Sequence, residues 1–331
     1  MAENSSMGRR GTLAAAALLA SGVARAQPWR PARPLRLVLP FAAGGITDIL
    51  ARAIAEPLGA GLGQTVVVEN RPGGGGNIAG EAVSRAPADG TVLLVASQGM
   101  TTMNSALYRA LPYDPDNDFI PLAALAKQPN FIVGNPALTA GASLGDLLAR
   151  AKAAPGVLTF GSPGVGSYAH ISGELVRFMA GVELTHVPYR GSPLMLTDLI
   201  AGQLVLGLDA VATSMPHVRN GALRALAVTS PQRNRAFPDV PTVAETRGFP
   251  MAGYDADAWY AVYAHKDTPE PILATLDAAL RAAIARPAFG QLLEDRAADP
   301  MPDSRAELLV RLRQEQRKWQ DVVRRSGARA E

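Results

Sequence analysis

Three glycine-rich turns are the segments of this chain best suited to chemistry. They are Phe41-Ala42-Ala43-Gly44-Gly45, Gly73-Gly74-Gly75-Gly76-Asn77 and Gly161-Ser162-Pro163-Gly164-Val165-Gly166-Ser167. Each is predicted at the end of a strand and the start of a helix, so each can aim bare backbone N–H groups at an anion. Thr47 stands beside the first turn, and Ser162 and Ser167 lie within the third. Any one such turn, taken alone, reads more plainly as a tight turn without a ligand. Two of them in opposite halves of a fold, each with hydroxyls nearby, favour a shared anion site.

Nucleotide chemistry does not fit these turns. Gly74 to Ala79 matches G-x-G-x-x-A, but the next strand ends Val95-Ala96-Ser97-Gln98 and lacks the acidic residue that would hold a ribose. Gly161 to Ser167 matches a P-loop without its lysine. Catalytic signatures are missing too: there is no G-x-S-x-G elbow and no H-E-x-x-H. Ser167 and His170 form the one candidate nucleophile pair, which would suit an exported hydrolase-like enzyme; a histidine at a helix start more often packs or hydrogen-bonds. His186 reads as structural. Asp209, at a strand end, either faces a cleft and receives a ligand amine or a water, or caps the helix near Ala212. Asp48 falls in a helix first turn, where it suits the dipole. Beside a bound anion its charge must be turned aside or bridged by water.

Composition narrows the class. The chain has 331 residues, 32 Lys+Arg against 29 Asp+Glu, 48% hydrophobic and 18% charged residues. That is enough to bury two cores and too apolar for disorder. Setting aside residues 1–26, with Arg9, Arg10, Arg25 and Glu3, leaves 29 against 28. Near neutrality argues against a nucleic-acid partner, which demands a concentrated basic face. With no cysteine and four histidines, neither disulfides nor a thiolate or histidine-rich metal site is expected. No cofactor is expected. Arg9-Arg10, the apolar run Leu13 to Ala20 and the ending Ala24-Arg25-Ala26 have the form of a cleavable secretory signal. Cleavage after Ala26 would release a soluble protein to the periplasm.

The elements that must position these turns follow from periodicity. Leu35 to Pro40 reads as a strand, Thr47 to Leu62 as a helix with Leu50, Ile54 and Leu58 on one face, and Gln64 to Glu69 and Val92 to Ala96 as further strands. This βαβαβ rhythm predicts a mostly parallel sheet covered by helices. It restarts near residue 130: a helix over Leu144 to Ala153, strands at 158–160 and 184–187, and two more at 204–208 and 223–228. A proline-rich return, Pro231 to Pro250, and two C-terminal helices complete the chain. The expected fold is α/β, two lobes built on mostly parallel sheets. Lobe 1 takes 27–129 plus 230–331, lobe 2 takes 130–229, and a ligand cleft lies between them.

The run Arg33 to Asp48, with Leu35-Arg36-Leu37-Val38-Leu39-Pro40-Phe41-Ala42-Ala43-Gly44-Gly45 at its heart, resembles the opening of the Bug (TctC-like) family. These are extracytoplasmic receptors of tripartite tricarboxylate transporters. The likeness continues through Gly63 to Gly73, Leu111-Pro112-Tyr113-Asp114-Pro115, Gly161 to Ser167, His186 to Gly191, Leu223 to Thr229 and Asp239-Val240-Pro241-Thr242, as far as Trp319. The resemblance implies the two-lobed periplasmic binding protein (Venus flytrap) fold and a monomeric receptor, not an enzyme, closing on a small carboxylate and serving the membrane subunits of such a transporter. It implies that Phe41, Ala42, Ala43, Gly44, Gly45, Thr47 and Asp48 grip the carboxylate through backbone N–H groups and waters. Ser162, Gly166, Ser167 and His170 would form the opposite wall, with Asp209 behind and Ser97 completing the pocket. Dicarboxylates, tricarboxylates, amino acids and aromatic acids all suit such a clamp, and a ligand-sensing module is the other non-enzymatic use of the scaffold. Ile46, Gly74 and the Asn104-Ser105 step depart from the family pattern, Ile46 adding apolar surface to the pocket.

Overall fold

The computed structural model describes residues 29–326, so the predicted secretory leader and its cleavage point lie outside the described residues. Strand β1 (Leu35–Leu39) starts the first sheet, with Leu35, Leu37 and Leu39 fully buried. Burying each such side chain is worth about 1.5–3 kcal/mol. The chain then turns into helix α1 (Ile46–Leu62), whose Leu50, Ile54 and Leu58 face the core. Strands β2 (Val66–Asn70) and β3 (Val92–Ser97) run parallel to β1 on either side. Between them, residues 74–76 form a short 3₁₀ turn ahead of α2 (Asn77–Ser84).

Two short helices, α3 (Gln98–Thr102) and α4 (Asn104–Leu107), lead to a strand that periodicity does not announce. This is β4 (Phe119–Gly134), 16 residues long. Phe119 to Pro129 pair antiparallel with β9 (Asp257–His265), whereas Asn130 to Gly134 pair with β7 (Leu206–Ala210) and β8 (Arg224–Val228). One strand therefore serves two sheets. The second sheet is built from α5 (Leu144–Ala153), β5 (Thr159–Ser162), α6 (Tyr168–Ala180), β6 (Thr185–Pro188), α7 (Ser192–Ile200), β7, α8 (Val211–Arg219) and β8. Its β5 is parallel to both β6 and β7.

The α/β class and the two-sheet architecture stand, but the sheets are mixed rather than mostly parallel. Four strand pairings are parallel and four antiparallel, and every antiparallel one involves β4 or β9. The proline-rich segment lies on the second sheet before the chain returns. Phe237 meets Phe131 edge-on at 5.0 Å, and Thr242 bridges to Val228. Three helices end the described chain where two are expected: α9 (Glu270–Ile284), α10 (Pro287–Asp295) and α11 (Arg305–Ser326). Helix α11 touches both halves. Trp319 is fully buried and edge-on to Tyr168 of α6 at 5.2 Å, and Gln316 donates to the Thr101 carbonyl at 3.0 Å.

Candidate functional site

A small cavity lies between the two sheets. Phe41, Gly45, Ile46, Thr47, Ser97 and Tyr260 line it from the first, and Pro163, Ser167, Tyr168, Ala169, Ser192, Asp209 and Ala210 from the second, with Asn130 at the crossing. The two halves already touch around it. The Ala42 amide donates to the Arg190 carbonyl at 3.1 Å, and a Cβ placed on Gly166 would stand 2.6 Å from Asn104 Oδ1.

The N-terminus of α1 opens into this cavity. Gly45 at its N-cap has no side chain to satisfy the first-turn amides, in contrast to α5, which Ser143 and Asp146 close with a reciprocal capping box. Nothing among the described residues accepts from the amides of Gly45, Ile46 or Thr47. Uncapped first-turn N–H groups carry the positive end of the helix dipole, so this rim favours a negative charge. Helix α6 faces the same space. Its Ser167 hydroxyl accepts the His170 amide at 3.2 Å, leaving those of Tyr168 and Ala169 without an acceptor among the described residues.

Not every amide of the first turn is available. That of Ala42 is spent on Arg190 across the cleft, and Gly44 donates to Asp48 Oδ2 at 3.1 Å. Neither Ala43 nor Asp48 lines the cavity. The Asp48 carboxyl is turned aside, as its charge requires. Burial pushes its pKa up, but the Arg52 guanidinium at 2.9 Å, the Gly44 amide and Asn70 outweigh burial and hold it below the ordinary carboxylate range.

The opposite wall corrects two expectations. His170 does not reach the cavity. Its Nδ1 accepts the Gly166 amide at 3.3 Å, and its ring stacks on His186 at 4.1 Å between centroids. Ser162 and Gly166 likewise support the wall from behind, Ser162 Oγ lying 2.7 Å from His186 Nε2 with no exposure at all. The Ser167–His170 pair therefore lacks the hydroxyl-to-imidazole contact that nucleophile activation needs. Burial lowers the pKa of both imidazoles, that of His186 to about 4 and that of His170 well below 6.5, so both are neutral. In the unfolded chain they protonate at their ordinary value. As pH falls below 6.5 the unfolded state gains protons that the native state refuses, and stability drops by up to about 1.4 kcal/mol per pH unit for each residue. For His186 that loss ends near pH 4. Denaturant titrations between pH 7 and 4.5 should show this slope, and His186→Phe should flatten it; an unchanged slope would refute the neutral pair.

Asp209 is wholly buried at the end of β7. Its carboxylate accepts from Ser192 Oγ at 2.5 Å, from Ser214 Oγ at 2.9 Å and from Thr213 Oγ1. Burial pushes its pKa up against those three hydroxyls. It thus fixes α7 and α8 against β7 and forms part of the cavity wall.

Residues 50–328 match the model of the family described as the TctC tripartite tricarboxylate transporter family receptor. The chain belongs to the TctC family. Among relatives, BugT of Bordetella pertussis is 35% identical over 90% of this chain and 91% of its own. An R. palustris protein solved with adipate superposes with a TM-score of 0.83 at 36% identity, covering 90% of this chain and 98% of that one. MatC from Rhodopseudomonas palustris, solved with malate bound, gives 0.83 at 31% identity, covering 88% and 99%.

Within this TctC chain the cavity gathers seven of the residues singled out from sequence: Phe41, Gly45, Ile46, Thr47, Ser97, Ser167 and Asp209. Asn130, Ser192 and Tyr260 went unrecognised. No local motif marks them, because β4, α7 and β9 bring them together from distant parts of the chain. Among the described residues no helix is long and apolar enough to cross a membrane, and no group of His, Cys, Asp or Glu could hold a metal ion.

Proposed function

We propose that this TctC chain is an extracytoplasmic receptor, not an enzyme, that captures a small carboxylate as its two lobes close. Residues 27–129 with 230–331 form one lobe and 130–229 the other, hinged where β4 changes partner at Pro129 and Asn130. The observation that carries the reading is the uncapped N-terminus of α1 opening into a cavity lined from both sheets. Gly45, Ile46 and Thr47 supply pre-aimed donors, so a carboxylate exchanges water for charge-assisted hydrogen bonds with little reorganisation. Contacts from both lobes exist together only when the cleft is shut, so the ligand favours the closed form. The closed shape is what transporter membrane subunits would read. Relatives solved with adipate and malate support a carboxylate ligand. Synthesis with a leader cleaved after Ala26, a monomeric state and the absence of any cofactor complete the reading.

A thermal-shift screen of mono-, di- and tricarboxylates, acidic amino acids and aromatic acids tests it. An acid at a hundredfold its Kd should stabilise the chain by about 2.7 kcal/mol and raise its Tm. It should be recovered unchanged afterwards. No shift with any acid, or conversion of the bound one to product, would contradict this reading.

A further inference from the structure

The proposed function places one ligand carboxylate on α1 and leaves the ligand's other end to the remaining wall. Tyr260, lining the cavity from the first sheet, presents to it a group that the fold does not use. In β9 it lies opposite Ser97 of β3 and Ala126 of β4, and its side chain lines the cavity. Its neighbours Trp259 and Ala261 pack into the core on the other face of the sheet. The ring is 4% exposed, yet the hydroxyl has no hydrogen-bond partner among the described residues and is not sealed into the core as Trp259 Nε1 is. A buried phenol normally finds a partner.

The surroundings narrow what that partner can be. No lysine or arginine lines the cavity, so a far end cannot be neutralised by a cation there. The oxygens of Asp209 are already engaged by three hydroxyls. Burial, reinforced by the nearby Asp209 charge, keeps the Tyr260 phenol protonated, so it enters the cavity as a donor. Across the cavity the Tyr168 and Ala169 amides are donors too, while the Thr47 and Ser97 hydroxyls and the Asn130 side-chain carbonyl oxygen stand unpartnered among the described residues.

We infer that Tyr260 selects the ligand by its far end, donating its phenolic hydrogen to an acceptor there, a second carboxylate or a carbonyl. A ligand ending in a methyl group leaves this hydroxyl unpaired and buried, and sites built to hydrogen-bond a substrate reject analogues that lack the partner. The inference rests on the carboxylate reading, but its failure can be told apart.

Calorimetric titration of the wild type and Tyr260→Phe with matched acids provides the test: succinate against butyrate, glutarate against pentanoate, adipate against hexanoate. The wild type should prefer at least one diacid over its monoacid by about tenfold or more. Tyr260→Phe should lose about that factor for the diacid and less than about twofold for the monoacid, whose binding also reports that the variant is folded. Equal losses for both acids, or a preserved diacid preference, would overturn the role of Tyr260. A wild type that takes the monoacid equally well overturns it too, while leaving the carboxylate receptor intact. Silence toward every acid would overturn both.

Discussion

Gly75→Ala should weaken ligand binding on the order of a hundredfold while the protein still folds. Gly75 belongs to the turn ahead of α2 and adopts φ +63. A Cβ there would run into the Val165 carbonyl, in the turn between β5 and α6 on the other side of the cleft, and into the Tyr108 hydroxyl. The side chain is therefore a wedge against closure. A clash that costs the closed form about 2.7 kcal/mol lowers the population able to bind, and so the apparent affinity, about a hundredfold. Backbone strain is controlled by Gly141→Ala. Gly141 has nearly the same torsion, φ +69, with nothing within 4 Å of its added Cβ. Gly75→Ala should lose more stability than Gly141→Ala, because its Cβ also meets Tyr108 of its own lobe, but only Gly75→Ala should lose affinity in calorimetric titration. Parallel losses in the two would mean that closure is not what the ligand requires.

Gly45→Pro should lower affinity for the same acid about ten- to a hundredfold. Gly45 lies at φ −77, within reach of proline, so the ring can be accepted at the α1 N-cap. What disappears is one of the amides that line the cavity. A hydrogen bond to a charged group contributes about 1.5–3 kcal/mol, which sets the expected factor. Proline also restricts the residue before it, Gly44, whose φ of +86 belongs to the observed turn. Thermal unfolding without ligand separates the two effects: a near-normal Tm with weak binding identifies the amide. Unchanged affinity would remove the N-terminus of α1 from the site.

Local signals made much of this legible in the sequence. The β1–turn–α1 unit carries an apolar strand, glycines where the chain must turn and helical spacing from Leu50 to Leu58, so its place in the fold could be read directly. The same holds for α5 and for the turn before α6. Strand β4 was hidden because Pro121, Pro129 and a run of alanines argue against a strand. The structure accommodates Pro121 at a register shift, and Pro129 stands where the strand changes partners. Missing β4 and β9 meant missing Asn130 and Tyr260, which no nearby motif announces. His170 was misplaced because spacing puts it near Ser167 but cannot say that its ring turns inward onto His186. Ala42 was read as a ligand donor because its acceptor, the Arg190 carbonyl, comes from the far side of the cleft.

A crystal structure of the chain with the tightest-binding acid bears most directly on where that acid is held. The expected complex places carboxylate oxygens about 2.7–2.9 Å from the amides of Gly45, Ile46 or Thr47, with contacts from the second sheet completing the enclosure. A carboxylate bound instead to surface arginines or lysines, or one leaving all three amides to water, would contradict it.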